Sequence, residues 1–332
     1  MDLRTRYLGL DLQHPFVAGA SPMPDSLDTA RRLEDAGAAA IVLRSLFEEQ
    51  LAGEQFATAR AMDATEGVFA EAGSMLPEPP DFALGPYEYL ERIRRLKAAL
   101  SVPVIASLNG TTRGGWLTYA ELMQSAGADA LELNVYGLAT RGDESSEMIE
   151  RRTLAMVAAV KSMVRIPLAV KLSPFYTALA NFARRLDECG ADGLVIFNRF
   201  YQPEIDPEAL TVERTLHLSH PSELLLRLRW LAILSGDLDA SLACSGGIHS
   251  ATDAIKAVMT GAHSVQVVSC LLRHGPDYLR GLIADFAAWL EEHGYTSVAE
   301  MRGSMNLSRC PDPAAYERAN YMQILHGWPS GV

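Results

Sequence analysis

The chain has few cysteines, and none is placed to bind metal. Cys189, Cys244, Cys270 and Cys310 are far apart in 332 residues and include no C-x-x-C pair. Neither a zinc site nor an iron–sulfur cluster is therefore expected, no other metal site is suggested, and the first three cysteines read as buried reduced thiols. No G-x-G-x-x-G follows the first apolar run, so the dinucleotide fingerprint of a Rossmann sheet is missing. The start, Met1-Asp-Leu-Arg-Thr-Arg6, lacks the apolar core of a signal peptide, and the leucine-rich run from Leu224 to Leu234 is broken by Arg227 and Arg229. A soluble cytoplasmic protein, not a membrane one, is expected. Basic charge is also scarce, with 29 Lys and Arg against 41 Asp and Glu, a net charge of -12 and a pI near 5.2. Phosphate backbones need clustered cations, so nucleic acid is excluded as a general partner. The pairs Arg31-Arg32, Arg94-Arg95 and Arg151-Arg152 read as solvated helix faces.

With 48% hydrophobic and 21% charged residues, the chain can bury one large core. A short phrase recurs at helix-to-strand junctions: Asp35-Ala-Gly-Ala, Ser125-Ala-Gly-Ala-Asp129, Glu188-Cys-Gly-Ala-Asp192 and Met259-Thr-Gly-Ala-His263. Glycine just past a helix adopts the left-handed cap without steric cost, so each phrase marks an α-to-β joint. Two further strands enter through Val102-Pro103 and Ile166-Pro167. Strands are expected near 15–19, 40–44, 103–108, 130–134, 167–171, 193–198, 241–245 and 264–268, each followed by a helical segment. Eight βα units favour an α/β fold closed into a (β/α)8 TIM barrel over an open doubly wound sheet. The barrel is assigned to residues 1–305. A lid-like insert at 46–86, beginning with an amphipathic helix from Phe47 to Met62, lies within it, and a C-terminal extension at 306–332 carries a helix from Ala314 to Leu325 that could dock on the barrel or on another subunit.

Four apolar runs end on a polar residue where a buried strand would surface: Ile105 to Asn109, Ala130 to Asn134, Leu168 to Lys171 and Leu194 to Asn198. In a parallel α/β sheet the ligand lies beyond those ends, so the four read together as a binding-site lining, although each Asn alone could simply close a turn. After strand seven comes Ser245-Gly246-Gly247-Ile248 and a helix from about Ser250; after strand eight comes Val268-Ser269. Glycines at a strand-to-helix turn let backbone N–H groups approach a phosphate, and the loops after strands seven and eight are a common place for it in barrels. A plain tight turn is the alternative. Lys171 has three readings: a side chain reaching solvent, a Schiff-base lysine, or a cation beside an electron-rich ring. The Asn carboxamides favour the third, since they pair donors and acceptors with a heterocycle edge.

Over about residues 7 to 305 the sequence resembles the dihydroorotate dehydrogenases, FMN-containing barrels of pyrimidine biosynthesis. Leu131-Glu-Leu-Asn134 is similar to that family's strand-four motif, Val170-Lys171-Leu-Ser-Pro174 to its flavin lysine motif and Ser245-Gly246-Gly247-Ile248 to its phosphate motif. Gly294 to Gly303 resembles the closing helix of the soluble class. The resemblance implies an FMN cofactor contacted by Ala20, Ser21 and Ser45, with Asn109, Asn134, Lys171 and Asn198 around the ring and ribityl chain. It places Ser245, Gly246, Gly247, Val268 and Ser269 at the phosphate, and it implies a homodimer.

Departures fall in the substrate half. The family's catalytic Cys or Ser, three residues after the strand-four Asn, is Gly137 here, which has no group to take a proton. Residues 46–86 contain no Asn, although the family reads orotate with asparagines in that loop, and Arg44-Ser45 replaces the usual Lys-Ser or Lys-Thr. Arg44 keeps the charge but presents a planar fork better suited to a carboxylate or phosphate. Tyr136, with Thr140, Arg141 and Asp143, lies on the loop after strand four and is a candidate for replacement chemistry, though as a base it would need a strongly lowered pKa; His220 and His249 read as exposed loop residues. The expected function is an FMN-dependent oxidoreductase acting on a small anionic substrate, with Lys171, Arg44 and Tyr136 as catalytic candidates. Alternatives are a flavin-binding scaffold or electron-transfer subunit working with a partner protein, and, least favoured, a Schiff-base lyase using Lys171.

Overall fold

The computed structural model describes residues 1–47, 85–110, 116–135, 137–199, 202–213, 217–317 and 327. Eight strands, β1 to β8, run Phe16–Ser21, Ile41–Leu43, Val104–Asn109, Ala130–Asn134, Leu168–Leu172, Gly193–Ile196, Ser241–Ser245 and Ser264–Val267. All neighbours pair in parallel, and the β2–β3 pairing together with β8–β1 closes the cylinder. Helices α1 (Leu27–Asp35), α2 (Pro86–Ala99), α3 (Trp116–Ser125), α4 (Ser146–Met163), α5 (Leu179–Glu188), α6 (Leu224–Leu234), α7 (Ala251–Met259) and α8 (Tyr278–Glu292) follow the strands in turn. The protein is a (β/α)8 TIM barrel.

The recurrent phrase does what its chemistry allows. Gly37, Gly127, Gly190 and Gly261 all have positive φ, from +92° to +122°, and reverse the chain at the four joints. Two residues further on, Asp129 accepts the Val104 N–H at 2.7 Å, Asp192 the Leu168 N–H at 2.7 Å and, through Nδ1, His263 the Leu242 N–H at 3.0 Å. One side chain thus pins the start of the preceding strand, which sets the stagger of the barrel.

Inside the cylinder, small residues leave space that an unforeseen element fills. Ala130, Ala169 and Ala243 face Tyr7, Leu8 and Leu12 of an N-terminal hairpin, Thr5–Tyr7 paired with Leu10–Leu12. Tyr7 and Leu8 are each 1% exposed. The fit is close: a Cβ on Gly193 would sit 2.5 Å from Leu8 Cδ2.

Several expectations need correction. β6 stops at Ile196, so Asn198 lies just past the strand, held by its N–H to Leu172 O at 2.7 Å. Phe47 does not open a helix but ends a two-residue strand, Leu46–Phe47, beside Leu108 and Asn109; residues 48–84, which hold most of the expected insert, lie outside the described residues. Cys189, at the C-terminus of α5, is only partly buried, whereas Cys310 is buried. An antiparallel hairpin, Glu204–Asp206 with Thr211–Glu213, follows β6 and was not foreseen. In the tail, a helix opens at Ala314 as expected and is described as far as Glu317, with Tyr316 donating to Met305 O at 2.7 Å; residues 318–326 lie outside the described ones. The three arginine pairs are exposed, and among the described residues no helix is long and apolar enough to cross a membrane.

Candidate active site

The carboxyl ends of the strands surround a cavity of about 570 Å3. Ala20 and Ser21 of β1, Arg44 and Ser45 after β2, Asn109 of β3, Asn134 of β4, Lys171 of β5 and Asn198 after β6 line one side. Ser245, Gly246, Gly247, Val268 and Ser269 line the other. Every cofactor position named from the sequence, with Lys171 and Arg44, is thereby brought together; of the candidates on the loop after β4, Tyr136 lies outside the described residues and Thr140, Arg141 and Asp143 do not line the cavity.

At the floor, Lys171 Nζ donates to Glu132 Oε1 at 3.1 Å and to Gln266 Oε1 at 3.0 Å, while Gln266 Nε2 donates to Glu132 Oε2 at 2.5 Å. All three side chains are buried. A buried charge persists only when paired and hydrogen-bonded, and this triangle meets both conditions, leaving one of the ammonium's three N–H groups for the cavity. Beside it, Asn134 Nδ2 donates to Ser107 Oγ at 2.9 Å and to Ser45 Oγ at 2.5 Å. Its carboxamide oxygen, Oδ1, is buried and has no partner among the described residues. An acceptor left in that state costs about 1–3 kcal/mol, so the site is built to receive a donor there.

Arg44 is not free. Its Nε lies 3.1 Å from Asp25 Oδ2, and Arg92 pairs with the other carboxylate oxygen. Burial raises the Asp25 pKa against the pull of the two guanidiniums. At the opposite end, Gly246 and Gly247 have φ of +90° and +81°, a conformation only glycine enters freely. Ser219 N donates to Ser269 Oγ at 3.0 Å, Ser219 Oγ to Ser269 Oγ at 2.8 Å, and Gly247 N to Ser219 Oγ at 3.3 Å. Ser250 then caps α7 in a reciprocal box with Asp253. The result is a concave set of amides and hydroxyls at a helix N-terminus, suited to an oxyanion.

The loop after β4 contributes less than expected. Gly137 is exposed and a Cβ there would meet nothing within 4 Å. Thr140 borders a separate cavity of about 390 Å3, and Arg141 and Asp143 pair with each other at the surface, 2.6 Å apart. His249 is partly buried rather than exposed, with Nε2 3.4 Å from Ser219 Oγ, and desolvation lowers its pKa; His220 is exposed and caps the turn Pro221–Glu223. Glu132, Gln266, Ser107 and Ser219 were missed from the sequence, as were Arg199, Gln202 and His217 on the cavity wall. The signal available was a lone Glu and a lone Gln within apolar strands.

A family model described as Dihydroorotate dehydrogenase matches residues 2–290. The dihydroorotate dehydrogenase B (NAD(+)) catalytic subunit of Methanothermobacter thermautotrophicus is 26% identical over 309 residues, covering 91% of this chain and 97% of that protein. A putative dihydroorotate dehydrogenase A (fumarate) of Aeropyrum pernix is 26% identical over 316 residues, with 91% and 97% covered. The B-type catalytic subunit of Methanosarcina acetivorans is 28% identical over 306 residues, with 89% and 93% covered.

Proposed function

Because this chain belongs to the dihydroorotate dehydrogenase family, we propose that it is an FMN-dependent oxidoreductase moving two electrons to or from a small anionic substrate, a dihydropyrimidine being one candidate. The observation that carries this reading is the buried, unpartnered Asn134 Oδ1 beside Lys171 in a cavity whose far end is the glycine turn. A ligand with a polar ring edge at one end and a phosphate at the other fits that donor and acceptor set. When bound, FMN supplies the two-electron chemistry.

The protein's part is binding, orientation and charge. Glu132 and Gln266 hold the Lys171 ammonium, whose charge stabilises negative charge developing on a neighbouring ring. Ala20, Ser21, Ser45, Asn109 and Asn198 bind the body of the ligand, and Ser245, Gly246, Gly247, Val268 and Ser269 its phosphate. Arg44, steadied by Asp25, presents a planar fork to a substrate carboxylate. Gly137 can take no proton, so proton removal falls to a residue other than the family's base or to water. The relatives' names mention NAD(+) and fumarate; here the acceptor is proposed as a soluble oxidant or a partner protein, and the assembly as a cytoplasmic homodimer.

Gly137 also favours a second reading, a flavin-binding electron-transfer subunit that has lost dihydroorotate chemistry, because no described side chain fills the base position. The visible spectrum of the purified protein, before and after anaerobic addition of dihydroorotate, tests both. Bleaching of flavin bands supports the family reaction. Bands that persist with dihydroorotate but bleach with a reduced partner protein support the second reading, and no bands even after added FMN would sink the flavin assignment.

A further inference from the structure

Behind the glycine turn lies a buried cation that belongs to no part of the site described above. Arg227, on the second turn of α6, is 5% exposed and does not line the cavity. Its Nε donates to the Ser245 carbonyl, its Nη1 donates to Glu223 O at 2.6 Å, and its Nη2 stays 3.9 Å from the Glu223 carboxylate. That carboxylate is shared with Arg199 at 3.7 Å and with the His220 N–H at 2.9 Å. Two guanidiniums therefore face one carboxylate, and the deeper guanidinium lacks a close counter-ion among the described residues. Burying a charge with incomplete pairing is costly, and the same desolvation lowers the Arg227 pKa.

The position of the side chain gives it a directional effect. In a trans peptide the C=O and N–H point in opposite directions, so fixing the Ser245 carbonyl on Arg227 turns the Gly246 N–H the other way. Gly246 lines the cavity, and no acceptor among the described residues takes its N–H. Contact is tight enough to leave no slack: a Cβ on Gly246 would lie 2.8 Å from Arg227 Nη2, and one on Gly247 would lie 2.6 Å from Leu224 N.

Resting on the flavin reading above, we infer that Arg227 is the positioning residue that selects a phosphorylated ligand. It fixes the Gly246 N–H for an anion and supplies from behind the turn the positive charge that a dianionic phosphate completes. Riboflavin, which has the same ring and ribityl chain without the phosphate, gains nothing from it.

The test measures dissociation constants of FMN and riboflavin by quenching of flavin fluorescence, using the full chain and its Arg227→Met, Arg227→Lys and Glu223→Gln forms. A hydrogen bond to a charged group contributes about 1.5–3 kcal/mol, so Arg227→Met is expected to weaken FMN by about tenfold or more while riboflavin affinity holds. Arg227→Lys restores part of the preference, and Glu223→Gln, which removes the competing carboxylate, increases it. A purely structural role for Arg227 would weaken both flavins together, and that result overturns the inference, as does a preference unchanged in both Arg227→Met and Glu223→Gln. Should Arg227→Met not fold, the Glu223→Gln preference alone decides. Wild-type protein that binds neither flavin would remove the proposed function and this assignment with it; tight FMN binding with an unaltered preference removes only the latter.

Discussion

Replacing Lys171 by Met keeps the length of the side chain and removes its charge from a site where Glu132 is 1% exposed. Among the described residues the carboxylate would then keep only the Gln266 Nε2 donor at 2.5 Å, and breaking a buried pair from one side costs about 3–5 kcal/mol. Glu132→Gln leaves the ammonium with neutral acceptors and is expected to cost a similar amount. The double variant buries no net charge, so its loss should fall well short of the sum of the two. Urea unfolding of all four proteins, followed by tryptophan fluorescence, closes the double-mutant cycle. It is to be run on flavin-free protein, because a bound ligand adds stability of its own. Losses that add to within about 0.5 kcal/mol would refute the coupling and with it the claim that the triangle is held by its charges.

Gly137→Cys adds a thiol where a Cβ meets open space, so stability is expected to stay within about 0.5 kcal/mol of wild type. If the loop after β4 carries residue 137 over the flavin, the rate of flavin bleaching by dihydroorotate should rise about 100-fold or more, the usual contribution of a placed base; stopped-flow absorbance reads it, and no increase would locate the obstacle in substrate binding or in the position of residue 137, which borders the cavity of about 390 Å3. His263 is held neutral by desolvation, its pKa lowered from 6.5 to about 4. Its contribution is therefore complete above pH 6.5 and is lost as the pH falls through 4, about 3 kcal/mol in all. His263→Asp, which installs the residue found at Asp129 and Asp192, should flatten the dependence between pH 7 and 5. Unfolding curves that fall in parallel for the two proteins over that range would contradict this.

What could be read from the sequence followed from where chemistry interrupts a pattern. Asn109, Asn134 and Lys171 end apolar runs, and the closed parallel sheet brings those ends around one cavity. The Gly-Ala joints are local backbone requirements and therefore visible in local sequence. Glu132 and Gln266 were harder to see because a strand buried on both faces has no apolar and polar alternation, so nothing distinguishes an inward residue from an outward one. Arg227 was visible only as a break in a leucine-rich run. Its partners, Ser245 and Glu223, become neighbours only when α6 packs behind the glycine turn. Tyr7 and Leu8 carry no motif at all; they are identified by the vacancy that the inward alanines leave.

That hairpin makes the barrel a vessel with a stopper. With Tyr7 and Leu8 wedged among the inward alanines at one end, traffic to the chamber passes through the strands' carboxyl-terminal mouth. In the flavin reading a small-molecule donor and a small-molecule acceptor must then use the same doorway. Such a pair takes turns, the first product leaving before the second reactant arrives, whereas a partner protein that draws electrons through the barrel wall is free of that order.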